Sequence, residues 1–315
     1  MLLSVVVPAY NEAEGIEAFH SELLMPVLKK VSGGSYEVIY VNDGSNDSTL
    51  DKLVSLAKKD KAIKVVNLSR NFGKEIATTA GIFQSTGEAT VILDADGQHP
   101  PAKLQEFVDK WKAGAQVVVG VRNKQWHEGF VKSVGSKVFY QLFNSASGAE
   151  LVPRSTDYRL ITSDVREEFK TFTERNRITR GLIDWLGFQR DYVYFDSPER
   201  IAGQANYKVS QLVKLAMNSF ISLSLKPLFF FGWVGVTITM LSLTLGIFIF
   251  IEQIILGDPL GLGFTGSALL GIFMSFLIGL VLTSQAILAA YVSHIHTQTQ
   301  SRPLFVIDRS GSVNL

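Results

Sequence analysis

The sequence predicts an α/β domain with a mainly parallel sheet, followed by two helices long enough to cross a membrane. Three observations carry this prediction. Short apolar runs alternate with helical patterns in the first two thirds of the chain, two long charge-free runs follow, and 47% of the 315 residues are hydrophobic against 19% charged. Continuous apolar strands that alternate with helices indicate a sheet that is covered on both faces.

Five strands and four helices follow one another in this domain. The strands are short apolar runs that end in turn residues, whereas the helices repeat their apolar residues at three- and four-residue steps. The predicted strands are Leu3–Pro8, Tyr36–Asn42, Ile63–Leu68, Ala89–Asp94 and Gln116–Val121. The predicted helices are Glu12–Val31, Ser48–Lys59, Lys74–Ser85 and Pro101–Trp111. Polar residues follow the first four strands, at the sheet edge where ligands of such folds bind.

Two charge-free runs in the last third of the chain predict membrane-spanning helices. They cover 228–251 and 260–293, and a helix of about 20 apolar residues crosses a bilayer core. Their connector carries two acids and no base, whereas lysines and arginines flank the pair, which favours a hairpin with both ends in the cytoplasm. The alternative is a pair of helices buried in a soluble protein.

The segment between the domain and the hairpin has apolar residues at helical spacing, with bases and no acids opposite them. This pattern predicts an amphipathic helix on an anionic leaflet, and the alternative is a helix packed on the domain. The predicted organisation is a cytoplasmic domain over 1–205, the interfacial helix over 206–227, two transmembrane helices within 228–293 and a cytoplasmic tail over 294–315. The chain is therefore predicted to be a multi-pass protein of the inner membrane.

The composition excludes several classes of protein. A net charge of +1, from 30 Lys and Arg against 29 Asp and Glu, argues against a nucleic acid partner. The absence of cysteine excludes disulfides, thiolate nucleophiles and iron–sulfur clusters. The sequence has neither Gly-x-Gly-x-x-Gly after its first strand nor a Gly-x4-Gly-Lys-Ser/Thr loop. A bound nucleotide is therefore expected to be held by carboxylates and a metal.

Asp94 and Asp96 lie two residues apart where the fourth predicted strand ends, so that in extended geometry their side chains point the same way. Two such carboxylates repel each other unless a cation joins them, and Mg²⁺ or Mn²⁺ with phosphate oxygens is the common solution. Gln98 adds a neutral oxygen. The pattern predicts a metal–diphosphate site, although an isolated Asp-x-Asp also occurs in ordinary turns.

Two further polar segments follow the second and third strands. Asp43 can accept a hydrogen bond from the N–H edge of uracil or guanine, or from a ribose hydroxyl, or it can form an ordinary Asx turn. Asp47 is predicted to cap the next helix. Arg70 and Lys74 precede and open a further helix, whose N–H groups favour anions, so either base could face a phosphate or be solvated.

Taken in order, these segments resemble the family 2 glycosyltransferases. The motifs are Val-Val-Val-Pro8-Ala-Tyr10-Asn11-Glu12, Asn42-Asp43-Gly-Ser-x-Asp47, Arg70-Asn-x-Gly-Lys74, Asp94-Ala-Asp96-Gly-Gln98-His-Pro-Pro101 and Thr156-Asp157-Tyr158-Arg159-Leu160. Within that family, they resemble a narrower group, the polyprenyl-phosphate hexosyltransferases, which include dolichol-phosphate mannose synthases and bacterial bactoprenol glucosyltransferases. The resemblance extends over nearly the whole chain. It departs at Asp164, where the family commonly has a base, and at 203–207, where the family often has Gly-x-Ser-Lys-Tyr.

The resemblance implies a GT-A fold, a nucleotide sugar donor, a lipid phosphate acceptor and a divalent cation, Mg²⁺ or Mn²⁺. It implies that the nucleotide is bound by Pro8, Tyr10, Glu12, Asp43, Lys74 and Asp94, and the metal by Asp94, Asp96 and Gln98. It implies phosphate contacts for Arg122, Arg200 and Lys208, the last in place of the lysine missing from 203–207. Asp157 and Asp96 are the implied catalytic residues. Asp157 would lie by the acceptor phosphate, as a base or as an orienting residue, unless it is a structural partner of Arg159.

The implied reaction is the inverting transfer of a hexose to undecaprenyl phosphate at the cytoplasmic face of the membrane. UDP-glucose is the favoured donor, because the two C-terminal helices resemble the bacterial glucosyltransferase branch. GDP-mannose is the alternative, since Asp43 does not distinguish uracil from guanine. A catalytically idle membrane scaffold or nucleotide-sugar sensor is the alternative of another class. A processive polysaccharide synthase is disfavoured because the chain lacks Gln-x-x-Arg-Trp. The resembling bacterial branch forms tetramers, which predicts a homo-oligomer.

Overall fold

The computed structural model describes residues 2–123, 154–175, 177–196, 266–300 and 302–315, with single positions between 237 and 255. The chain divides into two compact units, one of Met1–Tyr207 with Ser301–Leu315 and the other of Lys208–Gln300. The predicted interfacial helix over 206–227 lies outside the described residues, as does most of the first charge-free run. The boundaries around them therefore stay predictions, and so does the homo-oligomer, because the structure holds one chain.

Seven strands and seven α-helices make up the described part of the first unit. The strands are β1 (Leu3–Ala9), β2 (Tyr36–Asn42), β3 (Ile63–Asn67), β4 (Ala89–Ile92), β5 (Val117–Arg122), β6 (Ser155–Thr162) and β7 (Arg190–Phe195). The helices are α1 (Ile16–Ala18), α2 (Met25–Ser32), α3 (Thr49–Lys59), α4 (Lys74–Gln84), α5 (Leu104–Lys112), α6 (Ser163–Thr171) and α7 (Thr179–Trp185). A π-helical segment, Phe19–Leu24, joins α1 to α2, and a short 3-10 helix, Pro101–Lys103, leads into α5.

The seven strands form one sheet in the order β3-β2-β1-β4-β6-β5-β7. Strand β6 runs antiparallel to both β4 and β5, and the other neighbouring pairs are parallel. The predicted α/β class, the mainly parallel sheet and the five predicted strands are confirmed, with strand ends that differ by up to two residues. Strands β6 and β7 were not expected from the sequence, because they are not continuous apolar runs.

Helices cover both faces of this sheet, as its apolar strands require. Side chains of β1 alternate between the faces: Leu3, Val5 and Val7 pack with α1, α2, α3 and α5, whereas Val6 packs with α4, α6 and α7. Gly81 lets α4 lie close to β1, because a Cβ there would be 2.3 Å from Cγ1 of Val6. Burial of both faces leaves the strand ends as the places where polar loops meet.

The described part of the second unit consists mainly of one helix, α8 (Gly266–Thr299). Among the residues that the structure describes, no helix combines the length and the apolar character needed to cross a membrane. The predicted multi-pass localisation in the inner membrane is therefore wrong, and the two spans predicted within 228–293 are not confirmed. A charge-free run is a property of composition, whereas a span requires a continuous apolar helix of about 20 residues.

The final segment of the chain, 302–315, belongs to the first unit and lies along β3. Val313 and Ile307 form antiparallel bridges with Val65 and Leu68. Because β3 is an edge strand of the sheet, this segment covers that edge. The sequence predicts a tail over 294–315, whereas the structure extends α8 to Thr299 and pairs the last residues with the domain.

Candidate active site

The loops that follow β2 and β3 are joined by Asp43, which comes directly after β2. Asp43 is 2% exposed, and its carboxylate oxygens accept hydrogen bonds from the main-chain N–H groups of Phe72 (2.7 Å) and Gly73 (2.9 Å). Gly44 permits this approach, because a Cβ there would lie 2.4 Å from the carbonyl carbon of Arg70. Burial raises the pKa of Asp43, and the two N–H groups oppose that rise. Asp43 therefore holds the segment that leads into α4, a role that sequence reasoning missed.

The loop after β1 contacts the start of α3. The main-chain N–H of Glu12 donates to Oγ1 of Thr49 at 2.9 Å, and the N–H of Thr49 donates to Oδ1 of Asp47 at 3.0 Å. Asp47 thus serves the first turn of α3, in agreement with its predicted capping role. Of the other predicted nucleotide-binding residues in this loop, Pro8 is buried within β1 and Tyr10 is 43% exposed. Tyr10 is therefore open to a ligand at the end of β1.

Lys74, the first residue of α4, contacts two carboxylates from different parts of the sheet. Its Nζ lies 2.7 and 2.8 Å from the two carboxylate oxygens of Asp94, which follows β4, and 3.0 Å from Oδ2 of Asp157 in β6. Because β6 is antiparallel to β4, its amino end lies beside the carboxyl end of β4 and brings Asp157 to this edge. The structure thus assembles three predicted site residues, with Lys74 between two acids.

The charges of this cluster determine its protonation. Burial opposes the ionisation of Asp157, but Lys74 and then Arg180 hold its pKa down to about 2. Partial desolvation also opposes the charge on Lys74, whose side chain is 47% exposed, yet Asp94 and Asp157 raise its pKa above the ordinary range. The pKa of Glu75, the next residue of α4, is raised by burial and by the charge of Asp157. At neutral pH the cluster therefore contains ionised Asp157 beside protonated Lys74.

Arg159, two residues after Asp157, pairs with a different acid. It is 1% exposed, and its terminal nitrogens donate to the two carboxylate oxygens of Asp184 in α7 at 2.6 and 3.0 Å. This buried bidentate pair fixes α7 against β6. The alternative in which Asp157 serves as the structural partner of Arg159 is therefore not the arrangement observed, and the Asp157 carboxylate faces Lys74 instead.

Three residues near Asp157 escape sequence reasoning. The main-chain N–H of Thr179, the first residue of α7, donates to Oε2 of Glu75 at 2.8 Å. Arg180 follows it and favours the ionised form of Asp157. These three residues line one small cavity together with Lys74 and Asp157. The sequence Arg180-Gly-Leu182 does not by itself indicate which strand these residues approach.

The segment after β4 differs from the extended geometry that the sequence predicts for Asp94 and Asp96. Strand β4 ends at Ile92, and residues 95–97 form a turn. Oδ1 of Asp96 accepts the N–H of Gln98 at 3.0 Å, whereas the Asp94 carboxylate contacts Nζ of Lys74. The premise that both side chains point the same way in a strand therefore does not hold, because the strand stops before Asp94.

His99 lies beneath this turn and orients it. The ring is 2% exposed and stacks on Tyr158 with centroids 5.3 Å apart, and its Nδ1 accepts the main-chain N–H of Asp94 at 3.1 Å. Burial lowers the pKa of His99, although Asp94 opposes the shift. A neutral ring with an unprotonated Nδ1 fits both observations. His99 is therefore a support for Asp94.

The residues predicted to contact phosphates are described in part. Arg122 is the last residue of β5, and its buried Nε has no hydrogen-bond partner among the residues that the structure describes. A buried donor without a partner is costly, which makes Arg122 a candidate for binding an anion. Arg200 and Lys208 lie outside the described residues.

The oxygen atoms after β4 suit a hard divalent cation. Carboxylates and amide oxygens, as offered by Asp94, Asp96 and Gln98, are the ligands that Mg²⁺ and Mn²⁺ prefer. Within the described ranges, no group of three or more His, Cys, Asp or Glu side chains is arranged to hold a metal ion. A cation held by these residues would take its remaining ligands from phosphate oxygens and water, as Mg²⁺ commonly does.

A mainly parallel α/β sheet with carboxylates and a lysine beyond its strand ends is typical of an enzyme that binds its substrate at that edge. The family model for "Glycosyl transferase family 2" matches residues 4–169, which is more than half of the chain. The chain therefore belongs to glycosyltransferase family 2 and is a glycosyltransferase.

Curated relatives match over nearly their full length. An uncharacterized glycosyltransferase of Synechocystis sp. is 36% identical over 305 residues, which cover 97% of this chain and 94% of the relative. A bactoprenol glucosyl transferase of Shigella phage SfX is 31% identical over 307 residues, which cover 98% and 99%. Among solved structures, mannosyl-3-phosphoglycerate synthase from Rubrobacter xylanophilus has a TM-score of 0.51 at 18% identity, over 69% of this chain and 70% of that one. The predicted family and the GT-A fold are thus confirmed.

Proposed function

We propose that this glycosyltransferase transfers glucose from UDP-glucose to undecaprenyl phosphate. The support from relatives is the bactoprenol glucosyl transferase of the Shigella phage, whose sequence matches over 99% of its length. The observation in this chain that carries the proposal is the contact of Lys74 with both Asp94 and Asp157. The ammonium of Lys74 thereby lies between Asp94, which is suited to the donor side, and Asp157, which is suited to the acceptor side.

The proposed acceptor is an anion, which a carboxylate repels. Asp157 can therefore lie beside the acceptor phosphate only if positive charges nearby offset this repulsion. Lys74 and Arg180 act on Asp157 and would offset the charge of an incoming phosphate monoester. Such a monoester loses its second proton at a pH of about 6, so it needs little help to ionise. Asp157 is a weak base because its pKa is held at about 2. We therefore favour an orienting role for Asp157 over proton abstraction.

In the proposed reaction, a phosphate oxygen attacks the anomeric carbon while the bond from that carbon to the nucleoside diphosphate breaks. The electron pair of that bond leaves with the diphosphate, and attack from the opposite face inverts the anomeric centre. The residues of this chain contribute positioning and charge neutralisation rather than covalent chemistry. When bound at Asp94 and Asp96, a divalent cation would supply further positive charge toward the diphosphate.

The nucleotide base is proposed to bind beside Asp43. Both oxygens of Asp43 accept main-chain N–H groups, and each carboxylate oxygen has a second lone pair. A remaining lone pair can accept the N–H of uracil. Guanine offers a similar N–H edge, so GDP-mannose is the alternative donor.

Transfer assays on the purified full-length protein test the proposal. UDP-glucose and GDP-mannose are supplied together at equal concentrations, each radiolabelled in turn, with and without undecaprenyl phosphate in detergent. We expect faster labelling of the lipid from UDP-glucose, and no labelled lipid without the acceptor. Faster labelling from GDP-mannose would reject the donor. An absence of transfer from either sugar would favour a scaffold or a sensor.

A matched pair of variants tests the role of the acidic cluster. Asp157→Asn is expected to lower transfer by at least about tenfold, because the oriented acceptor site is lost. Asp191→Asn is the control, since this acid is 45% exposed and pairs with Lys110 in α5. Equal activity of the two variants would contradict a role for Asp157.

A further inference from the structure

The C-terminal segment, residues 302–315, is bonded to the edge of the sheet along most of β3. Val65 and Val313 exchange two main-chain hydrogen bonds at 3.0 Å. Beyond the carboxyl end of β3, the N–H of Ser69 donates to the carbonyl oxygen of Val306 at 2.9 Å. Ser69 lies three residues before Phe72, whose N–H binds Asp43. The C-terminal segment therefore reaches the edge of the sheet where the nucleotide is proposed to bind.

Asn67, the last residue of β3, is the main link between the C-terminal segment and the domain. It is 6% exposed. Its Nδ2 donates to Oδ2 of Asp308 at 3.1 Å, its carbonyl oxygen accepts the N–H of Asp308 at 2.8 Å, and its N–H donates to Oγ of Ser312 at 3.0 Å. Its side-chain oxygen accepts Nδ2 of Asn42 at 2.7 Å. Three of its four polar groups thus bond to the C-terminal segment, and the fourth bonds to β2.

Asn42 carries this link to the nucleotide-binding loop. It is 2% exposed, it is the last residue of β2, and it directly precedes Asp43. Its side-chain oxygen accepts the main-chain N–H of Ser45 at 3.4 Å. A chain of hydrogen bonds therefore runs from Asp308 through the side-chain amides of Asn67 and Asn42 to the loop 43–47.

We infer that the C-terminal segment is part of the nucleotide-binding edge of this domain and that Asn67 is a positioning residue for the donor. Asn67 fixes the side chain of Asn42, and Asn42 fixes the loop that carries Asp43. A binding loop held in its bound shape binds more tightly, since less ordering is required when the ligand arrives. The inference rests on the proposed binding of the nucleotide beside Asp43.

Asn314 provides a matched control in the same segment. Its Nδ2 donates to the carbonyl oxygens of Ala57 (3.0 Å) and Ile63 (2.8 Å), and Ile63 is at the amino end of β3. Asn314→Ala therefore loosens the segment at the end of β3 that is remote from Asp43. Asn67→Ala removes the two side-chain bonds at the near end, to Asp308 and to Asn42, and keeps the main-chain bonds of this residue.

The experiment measures UDP binding by calorimetry and the KM and kcat for UDP-glucose, with thermal unfolding to confirm that each full-length variant is folded. Asn67→Ala is expected to weaken UDP binding and raise KM by about fivefold, the effect of one hydrogen bond, with kcat nearly unchanged. Asn314→Ala is expected to keep the affinity of the unsubstituted protein. Equal losses in the two variants, or unchanged affinity in folded Asn67→Ala, would overturn the inference.

A double substitution provides a rescue that remains informative if Asn67→Ala does not fold. Asn67→Asp places two carboxylates face to face, and adding Asp308→Asn restores a hydrogen bond between these positions with its direction reversed. We expect weaker UDP binding in the single variant and recovery in the double variant. Failure to recover in a folded double variant would contradict the inference. Failure of the unsubstituted protein to bind UDP would instead reject the proposed donor, and this inference with it.

Discussion

Replacing Asp43 by asparagine tests whether this side chain holds the segment that leads into α4. The two carboxylate oxygens accept the N–H groups of Phe72 and Gly73 at 2.7 and 2.9 Å. Asparagine keeps the shape of the side chain but has a single acceptor oxygen, so its NH₂ group must face one of the two donors. One partly buried main-chain N–H then loses its partner.

The expected loss of stability for Asp43→Asn is about 1–2 kcal/mol. A hydrogen bond to a charged group contributes roughly 1.5–3 kcal/mol, which sets the upper range of the loss. Burial raises the pKa of Asp43 despite its two donors, so removal of the charge recovers part of this energy. The remaining loss is local, because both donors lie between β3 and α4.

Hydrogen exchange measured by mass spectrometry reports this local change. Peptides that contain Phe72 and Gly73 should exchange about 5- to 30-fold faster in Asp43→Asn, which corresponds to the expected loss of free energy. Peptides from α5 should be unchanged, and the exposed acid variant Asp191→Asn should behave like the unsubstituted protein. Unchanged exchange at 72–73 would refute the holding role. If UDP affinity fell while exchange stayed the same, Asp43 would act on the nucleotide alone.

Three further predictions concern the acidic cluster and its support. The folded-state pKa of Asp157 is depressed from 3.8 to about 2, so its stabilisation is complete above pH 3.8 and is lost as the pH falls through 2. Urea unfolding should therefore show Lys74→Met less stable by about 2 kcal/mol at pH 7 and by roughly half as much at pH 3; a difference independent of pH would contradict this linkage. Arg159→Met removes the bidentate partner of the buried Asp184 carboxylate, which keeps only the longer contact with Arg190 at 3.7 Å, and should cost about 3 kcal/mol in unfolding free energy; a loss below about 1 kcal/mol would contradict the pairing. Asp94→Asn should lower transfer at least about tenfold, and transfer should stop reversibly in EDTA; full activity in the chelator would reject the metal.

The fold was predictable where the local pattern reflects burial. Strands β1 to β5 lie between two helical layers, and this environment demands the continuous apolar runs that are visible in the sequence. Strand β6 also lies inside the sheet, yet its residues Ser155–Thr162 include an acid and an arginine. Its insertion between β4 and β5, in the opposite direction, depends on contacts distant in sequence. The pairing of the C-terminal segment with β3 likewise depends on contacts between residues that are distant in sequence.

The site was predictable in its residues but not in its contacts. Asp43, Lys74, Asp94 and Asp157 follow from the motifs, whereas the bonds of Asp43 to main-chain N–H groups depend on the close approach of two loops. Lys74 was expected to face a phosphate or solvent, and it lies between two acids because the antiparallel β6 brings Asp157 to it. The raised pKa of Glu75 beside Asp157 follows from the same arrangement.

The position of Lys74 sets a condition on the proposed donor complex. Its ammonium contacts both carboxylate oxygens of Asp94, which a divalent cation at that acid would also use. Two cations share one carboxylate poorly unless a further anion joins them, and the diphosphate of the nucleotide is such an anion. Metal and nucleotide should therefore bind cooperatively. Calorimetry is expected to show Mn²⁺ binding at least about tenfold tighter with UDP than without it.

Substitutions of Lys74 test the origin of this cooperativity. Lys74→Met removes the competing charge, so Mn²⁺ should bind more tightly in the absence of UDP and the difference made by UDP should shrink. Lys74→Arg keeps the charge and should keep most of the difference. If UDP has no effect on Mn²⁺ affinity in the unsubstituted protein, the two cations do not compete for Asp94. If Lys74→Met leaves the effect of UDP unchanged, the cooperativity arises elsewhere, because the ammonium is the cation that contacts Asp94 in this structure.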